Sequence, residues 1–177
     1  MLKALSLWQP WASLMAVSAK MIETRSWSTS YQGLIAIHAA KKWDAGLIET
    51  ANQRRFSEAL FGREPLPKFA ASENLPRGCF IAVGRLVDCK ITSYRDYRSG
   101  FDVESPEIPD KSTDEFWFGD YSPRRFMWVF DEIWQLRNPV YARGYQGLWP
   151  LSDWSLLDEI NDNLPESYPR GVIAANS

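Results

Sequence analysis

The chain is poor in the residues on which many catalytic and metal sites depend: its 177 residues include one histidine and two cysteines. Any histidine-based catalytic pair must therefore use His38, and a structural zinc site, built from several Cys and His ligands, is not expected. Cys79 and Cys89 cannot form a disulfide framework, and we expect reduced thiols of a cytoplasmic protein. No carboxylate cluster has metal-site spacing, so neither a metal nor another cofactor is expected.

The sequence also lacks an excess of positive charge, since 20 basic and 22 acidic side chains give a formal net charge of −2. Proteins that coat long nucleic-acid duplexes carry such an excess, so any nucleic-acid contact must come from a local basic patch, or the ligand must be small. No apolar run approaches about 18 residues, and no basic segment precedes an apolar one at the start. Neither a membrane span nor a secretory signal is therefore expected.

Short extended segments dominate the pattern, which predicts an α+β fold: a small β-barrel with flanking helices. The predicted strands are 3–8, 24–28, 34–39, 78–89 and 126–135, and the predicted helices are 10–18, 44–61 and 153–161, the last two capped by Asp44 and by Ser152 or Asp153. Residues 62–77 are expected to be a loop, and 93–121 an irregular excursion. Asn138-Pro139 should end the last strand, and Gly84 indicates a bulge or a close backbone approach.

Aromatic residues are abundant, at 14% with nine Trp, and several are expected at the wall of a cleft because the indole N–H needs a partner. Trp8 and Trp11 are nevertheless expected in the core, since Trp11 lies on the buried stripe of the first helix. Gln9 could read a base edge or cap that helix. Tyr31 could reach a phosphate, although packing on the barrel is the simpler interpretation.

Four side chains near the first helix carry the most chemistry. On a strand, Glu23, Arg25 and Trp27 project to one face, and Lys20 could lean over it. Arg25 offers a planar fork for phosphate and Trp27 a stacking surface for a base. Lys20 is the candidate proton handler because the pKa of a lysine falls on burial, and Glu23 could hold it. The alternative is a solvated ion-pair network at the barrel mouth.

Three further polar segments are weaker candidates. His38 lies in an alternating strand and is expected to be a satisfied strand histidine rather than a general base. The segment 118–125 ends in Arg124 and Arg125, and could face nucleic acid or simply be soluble surface. The turn 143–147 is a second candidate rim.

Three motifs occur in order near the start: Leu5-Ser6-Leu7-Trp8-Gln9-Pro10-Trp11-Ala12-Ser13-Leu14, then Lys20-x-x-Glu23-x-Arg25-Ser26-Trp27, then Tyr31-x-Gly33-x-Ile35-x-Ile37-His38-Ala39-Ala40. Together they closely resemble the ASCH domain, named after activating signal cointegrator. Weaker similarities follow at 81–88 and 146–149. The stretches 44–77 and 93–121 match nothing and are interpreted as insertions in a single domain, 1–177.

The resemblance implies a PUA-like barrel whose cleft, between the first helix and the strands, binds RNA or nucleotides. Some members are reported to cleave RNA, and small bacterial relatives are amidohydrolases acting on acetylcytidine, in which the matching lysine is catalytic. That role would fall on Lys20, with Arg25 beside it. This chain has Ser18 where the family has Gly, at a cost of about 1 kcal/mol if the backbone is left-handed. It has Glu23 where the amidohydrolases tend to have Thr, and their further catalytic glutamate has no visible counterpart.

Two functional hypotheses follow. The first is a monomeric binding module for RNA, single-stranded nucleic acid, a nucleotide or a modified base, through a cleft lined by Lys20, Glu23 and Arg25. The second is a hydrolase that uses Lys20 as base on a nucleoside amide or an RNA phosphodiester, with Glu23 as partner. Binding is favoured because no second acid or base is evident. The expected contacts are Trp8, Gln9, Lys20, Arg25, Trp27, Tyr31, Arg124 and Arg125.

Overall fold

The computed structural model describes residues 2–62, 74–95, 98 and 100–169, and within them it contains a curled six-stranded sheet flanked by helices. The strands are β1 (Lys3–Leu7), β2 (Ile22–Arg25), β3 (Gly33–Ala39), β4 (Cys79–Ile91), β5 (Ser93–Arg95), β6 (Asp102–Glu104), β7 (Phe126–Tyr141) and β8 (Leu148–Pro150). The helices are α1 (Trp11–Ala16), α2 (Ala45–Asn52), α3 (Arg54–Phe61), α4 (Asp114–Trp117) and α5 (Trp154–Asn163). The predicted α+β class is confirmed.

The main sheet has the order β2-β7-β4-β3-β1-β8, and it curls into a half-barrel. Only the neighbours β1 and β3 run parallel; the other pairs are antiparallel. The parallel pair aligns Ser6 with His38 at the ends of the two strands. Polar side chains on adjacent strands at one register position can bond to each other.

The core is formed by the apolar positions of the long central strands and the buried face of α1. Trp128, Phe80 and Ile37 are fully buried, and Leu14 and Met15 of α1 are also inaccessible to solvent. Each such side chain contributes roughly 1.5 to 3 kcal/mol by leaving water. Cys79 and Cys89 are free thiols. No helix in the described residues is both long and apolar enough to cross a membrane.

Two boundary predictions are wrong, and each has a local cause. Asn138-Pro139 does not end β7, which continues to Tyr141. The pairing of β7 with β4 shifts between Gln135 and Val140, and an irregular segment of that kind tolerates a residue without an N–H. The helix predicted over 44–61 is two helices, because Gln53 adopts an extended conformation, with ψ of 141°.

Other local predictions are confirmed. The Asp44 carboxylate accepts a hydrogen bond from the Leu47 N–H at 3.1 Å, which caps α2, and Asp153 caps α5 in the same way. At Gly84, a β-carbon would lie 2.8 Å from the Phe130 ring, so the close approach expected there exists. The predicted loop over 62–77 falls largely outside the described residues.

The stretch 93–121 has more regular structure than the sequence predicted. It contains the two-stranded sheet of β5 and β6, in which Tyr94 pairs with Val103, and the short helix α4. After α4, Phe118 packs on Phe56 of α3 at a ring-centroid distance of 4.9 Å. The stretch therefore returns to the body of the domain and brings α4 close to the start of β2.

Replacing Ser18 with glycine is expected to raise the free energy of unfolding by about 1 kcal/mol. Ser18 follows the C-cap of α1 with φ of 57°, the left-handed conformation that favours glycine. Urea denaturation would measure the change. Ser28→Gly is the matched control, because Ser28 is exposed and has no positive φ. A Ser18→Gly change that matches the control would contradict this explanation.

Candidate functional site

A cleft of about 800 Å³ opens where β1 and β3 end, facing the loop that follows β7. It is lined by Ser6, Trp8, Arg25, Trp27, His38, Ala40, Lys41, Ala142, Arg143, Gly144, Tyr145, Gln146 and Gly147. The strand ends supply the floor and the 142–147 loop supplies one rim. This volume falls within the range of about 300 to 1,000 Å³ that is usual for small-ligand sites.

The cleft is positively charged although the whole chain is slightly acidic. Arg25, Lys41 and Arg143 line it, and its described lining includes no Asp or Glu. A local basic patch was one of the two alternatives that the near-neutral composition left open for a nucleic-acid contact, and the cleft lining is of that kind. Such a site attracts anions, and more strongly at low ionic strength.

Aromatic side chains provide the apolar part of the lining. Trp8 is 51% exposed, and the Lys42 ammonium lies 3.9 Å from its ring centroid. Trp27 packs its ring edge-on against Trp128 with centroids 4.6 Å apart, and this contact holds the Trp27 ring in place. Tyr145 stands on the opposite rim and is 53% exposed. The prediction that Trp8 lies in the core is wrong: the chain turns from β1 into α1 there, and the indole remains at the surface.

Arg25 is held in place by two neighbours. Its Nη2 donates a hydrogen bond to the Ser6 carbonyl oxygen at 3.1 Å, and its Nε lies 3.1 Å from the Glu23 Oε1. The Nε–Glu23 contact is an ion pair whose angle does not meet hydrogen-bond geometry. The Arg25 side chain is 25% exposed, so the guanidinium is partly buried yet reaches the cleft.

Lys20 is buried and does not line the cleft. Its side chain is 1% exposed, and its ammonium lies 3.8 Å from Glu23 and 4.0 Å from Glu115, and donates to the Ile22 carbonyl oxygen. Burial lowers the pKa of Lys20. The negative charges of Glu23 and Glu115 act in the opposite direction, and the positive charge of Arg25 lowers the pKa further. The network of Lys20, Glu23 and Arg25 exists, but it is buried rather than solvated because α4 covers it.

Glu115 is the residue that sequence reasoning missed. Its Oε2 accepts a hydrogen bond from the Met21 N–H at 2.6 Å and its Oε1 accepts one from the Ile22 N–H at 3.2 Å. The Tyr121 hydroxyl contacts the same carboxylate at 3.5 Å, and burial raises the pKa of that phenol. A glutamate 94 positions from its partner leaves no local signal, so only the folded chain reveals it.

The family model of the ASCH domain matches residues 5–130. The chain belongs to the ASCH domain family. Two relatives are similar to it: Activating signal cointegrator 1 of Homo sapiens and that of Mus musculus, each 28% identical over 149 residues, or 81% of this chain and 24% of the relative. The chain thus spans about a quarter of the length of these relatives. The curled sheet with its helices agrees with the PUA-like fold expected of an ASCH domain.

The remaining predicted site residues of this ASCH domain lie apart from the cleft lining. Gln9 is buried; its Nε2 donates to the Ser13 hydroxyl and the Pro76 carbonyl, each at 2.7 Å, and its Oε1 accepts from the Ser13 N–H at 3.1 Å. Gln9 thus caps the start of α1. Tyr31 packs on the sheet, with its hydroxyl donating to the Leu34 carbonyl at 2.8 Å.

The arginine pair after α4 is also engaged elsewhere in the ASCH domain. Arg125 contacts Asp120 at 3.1 Å and donates to the Thr24 carbonyl oxygen, while Arg124 lies 3.9 Å from Asp102. Glu23, Thr24 and Asp120 border a second hollow of about 180 Å³. The structure therefore brings Trp8, Arg25 and Trp27 together at the cleft and leaves Gln9, Tyr31, Arg124 and Arg125 outside it. In the described residues no group of three or more His, Cys, Asp or Glu could hold a metal.

Proposed function

We propose that this ASCH domain binds single-stranded nucleic acid or a nucleotide in the 800 Å³ cleft. The observation that carries the proposal is a lining that combines Arg25, Lys41 and Arg143 with exposed aromatic rings and no carboxylate. Phosphates are attracted by the cations, and bases stack on aromatic faces whatever their sequence. Family membership supports the same general function, because ASCH domains are PUA-related and generally resemble RNA-binding domains.

The size of the cleft favours a short segment over a duplex. A volume of about 800 Å³ accommodates a nucleotide or a short single-stranded stretch. A duplex presents its bases at the bottom of grooves, whereas an unpaired base can leave its stack and meet Trp8 or Trp27. We expect the domain to bind as a monomer. Two free thiols are consistent with the expected cytoplasmic location.

The alternative of a hydrolase that uses Lys20 as its base is not favoured by the geometry. A lysine must lie within hydrogen-bond reach of the proton it abstracts, and the Lys20 ammonium is enclosed by Glu23, Glu115 and the Ile22 carbonyl. Glu23 is likewise turned toward Lys20 and Arg25. Glu23 acts on the cleft by holding Arg25, and Lys20 pairs with the same carboxylate.

The proposal is tested by fluorescence anisotropy with labelled single-stranded RNA, single-stranded DNA and a duplex of the same sequence. The variant Lys41→Ala/Arg143→Ala is expected to bind single strands at least about 10-fold more weakly. The slope of the logarithm of the binding constant against the logarithm of the salt concentration should be shallower by roughly 0.7 per lost phosphate contact. Trp8→Ala should weaken binding by about 1 to 3 kcal/mol if one base stacks there.

The matched control removes two cations that lie away from the cleft, Arg54 and Lys90. Arg54→Ala/Lys90→Ala has the same net charge as the cleft variant and should bind nearly as well as the parent chain. Equal losses in the two double variants would show that only net charge matters. That result would contradict a specific cleft.

A further inference from the structure

The ends of β1 and β3 place the hydroxyl of Ser6 beside the single histidine, at the floor of the cleft. The Ser6 Oγ lies 3.2 Å from the Nδ1 of His38, and the Nε2 of His38 lies 3.1 Å from the carbonyl oxygen of Ala142. A carbonyl oxygen only accepts, so the ring proton is on Nε2. The bare Nδ1 then accepts the proton of the Ser6 hydroxyl.

This arrangement has the parts of an activated nucleophile: a hydroxyl, a base in hydrogen-bond contact with it, and a third group that fixes the base. Burial lowers the pKa of His38, and the nearby Lys41 lowers it further, while the bond to Ala142 opposes both. His38 is therefore neutral at pH 7, as a base must be. The Phe80 ring packs edge-on at 5.2 Å and limits the motion of the imidazole.

We propose that Ser6 is a catalytic nucleophile, with His38 as its general base, for the hydrolysis of carboxylic esters carried on anionic molecules. The Ser6 Oγ attacks the ester carbonyl carbon while its proton moves to the His38 Nδ1. The carbon–oxygen bond to the alcohol then breaks, and that alcohol leaves with the proton from His38. Water, deprotonated by the same nitrogen, releases the carboxylic acid and regenerates the Ser6 hydroxyl.

The charge of the cleft selects the substrate class. Arg25 donates to the backbone carbonyl oxygen of Ser6, and its side chain lines the same cleft as the nucleophile. A fixed cation there stabilises the negative oxygen that develops during attack. Lys41 and Arg143 line the same cleft and favour a substrate with a carboxylate or phosphate elsewhere in the molecule.

The Gly144 backbone packs directly against the pair. A β-carbon at this position would lie 2.7 Å from the Ser6 Oγ and would also overlap the His38 ring. A methyl group there would have to displace the imidazole. Gly144→Ala is therefore expected to move His38 away from Ser6 and to slow reaction of the nucleophile while both residues are present.

The activity is tested on the full chain with a fluorophosphonate probe, which exchanges its fluoride for a serine oxygen, followed by peptide mass spectrometry. We expect one label, on Ser6, that is absent in Ser6→Ala and slower by about 100-fold in His38→Gln. Ser155→Ala removes an exposed serine and should label as the parent chain does. Thermal melting of each variant identifies any that fails to fold, and Gly144→Ala then provides the independent loss of labelling.

Turnover of two 4-nitrophenyl esters completes the test. The monoanionic succinate ester should have a higher kcat/KM than the neutral acetate, and Lys41→Ala/Arg143→Ala should reduce that preference. The rate should rise with pH through an inflection below 6.5, since the pKa of His38 is lowered. No label on Ser6, or labelling unchanged in His38→Gln, would overturn the proposal. Nucleic-acid binding is measured separately, so either proposal can fail alone.

Discussion

Lys20→Ala is expected to lower the free energy of unfolding by about 3 to 5 kcal/mol. The side chain is 1% exposed, and its removal leaves Glu23 and Glu115 facing each other without the cation between them. It also leaves the Ile22 carbonyl without its ammonium donor and opens a cavity under α4. Urea denaturation followed by tryptophan fluorescence would measure the change.

The control for this experiment is Lys90→Ala. Lys90 is paired with Asp88 and Glu107 but is 33% exposed, so its loss should cost no more than about 1 kcal/mol. A similarly small loss at Lys20 would mean that its ion pairs are not structural. If the large loss is found, impaired binding or turnover in Lys20→Ala must first be separated from impaired folding.

Glu115→Ala is expected to lower the free energy of unfolding by about 3 kcal/mol. One carboxylate accepts from the Met21 and Ile22 N–H groups, and each charge-assisted bond is worth about 1.5 to 3 kcal/mol. The expected loss lies at the lower end of their sum of about 3 to 6 kcal/mol, because the Glu115 side chain is 18% exposed and water can partly replace it. Chemical denaturation measures this change as well.

Two variants make the Glu115 result specific. Glu49→Ala removes an exposed glutamate from α2 and should alter stability by less than about 0.5 kcal/mol. Glu115→Gln keeps one carbonyl acceptor and the size of the side chain, so its loss should be intermediate. Should Glu115→Ala match Glu49→Ala, the contact between α4 and β2 would not stabilise the domain.

The sequence was sufficient to predict the class of the fold and the position along the chain of most strands of the main sheet. Alternation along β2 correctly placed Glu23 and Arg25 on one side, as their 3.1 Å contact confirms. The three early motifs correctly identified the family. These features depend on residues close together in the chain, where periodicity and spacing carry the information.

What could not be predicted depends on contacts between distant segments. The burial of Lys20 follows from α4, whose Glu115 lies in a stretch that seemed an irregular excursion. The Ser6–His38 pair needs the parallel register of β1 and β3, and alternation within one strand says nothing about its neighbour. Pro139 likewise lies where the pairing of β7 with the distant strand β4 shifts.

The position of β8 at the edge of the main sheet limits how far the chain can be shortened. β8 covers the free edge of β1, and the second half of β7 pairs with the start of β4. A fragment that ended at residue 130, where the family match stops, would lack β8 and the second half of β7. It would therefore expose the edge of β1 and the edge of the first part of β4. Uncovered edges join those of other molecules, so such a fragment is prone to aggregate even though it carries every motif residue of the first 40 positions.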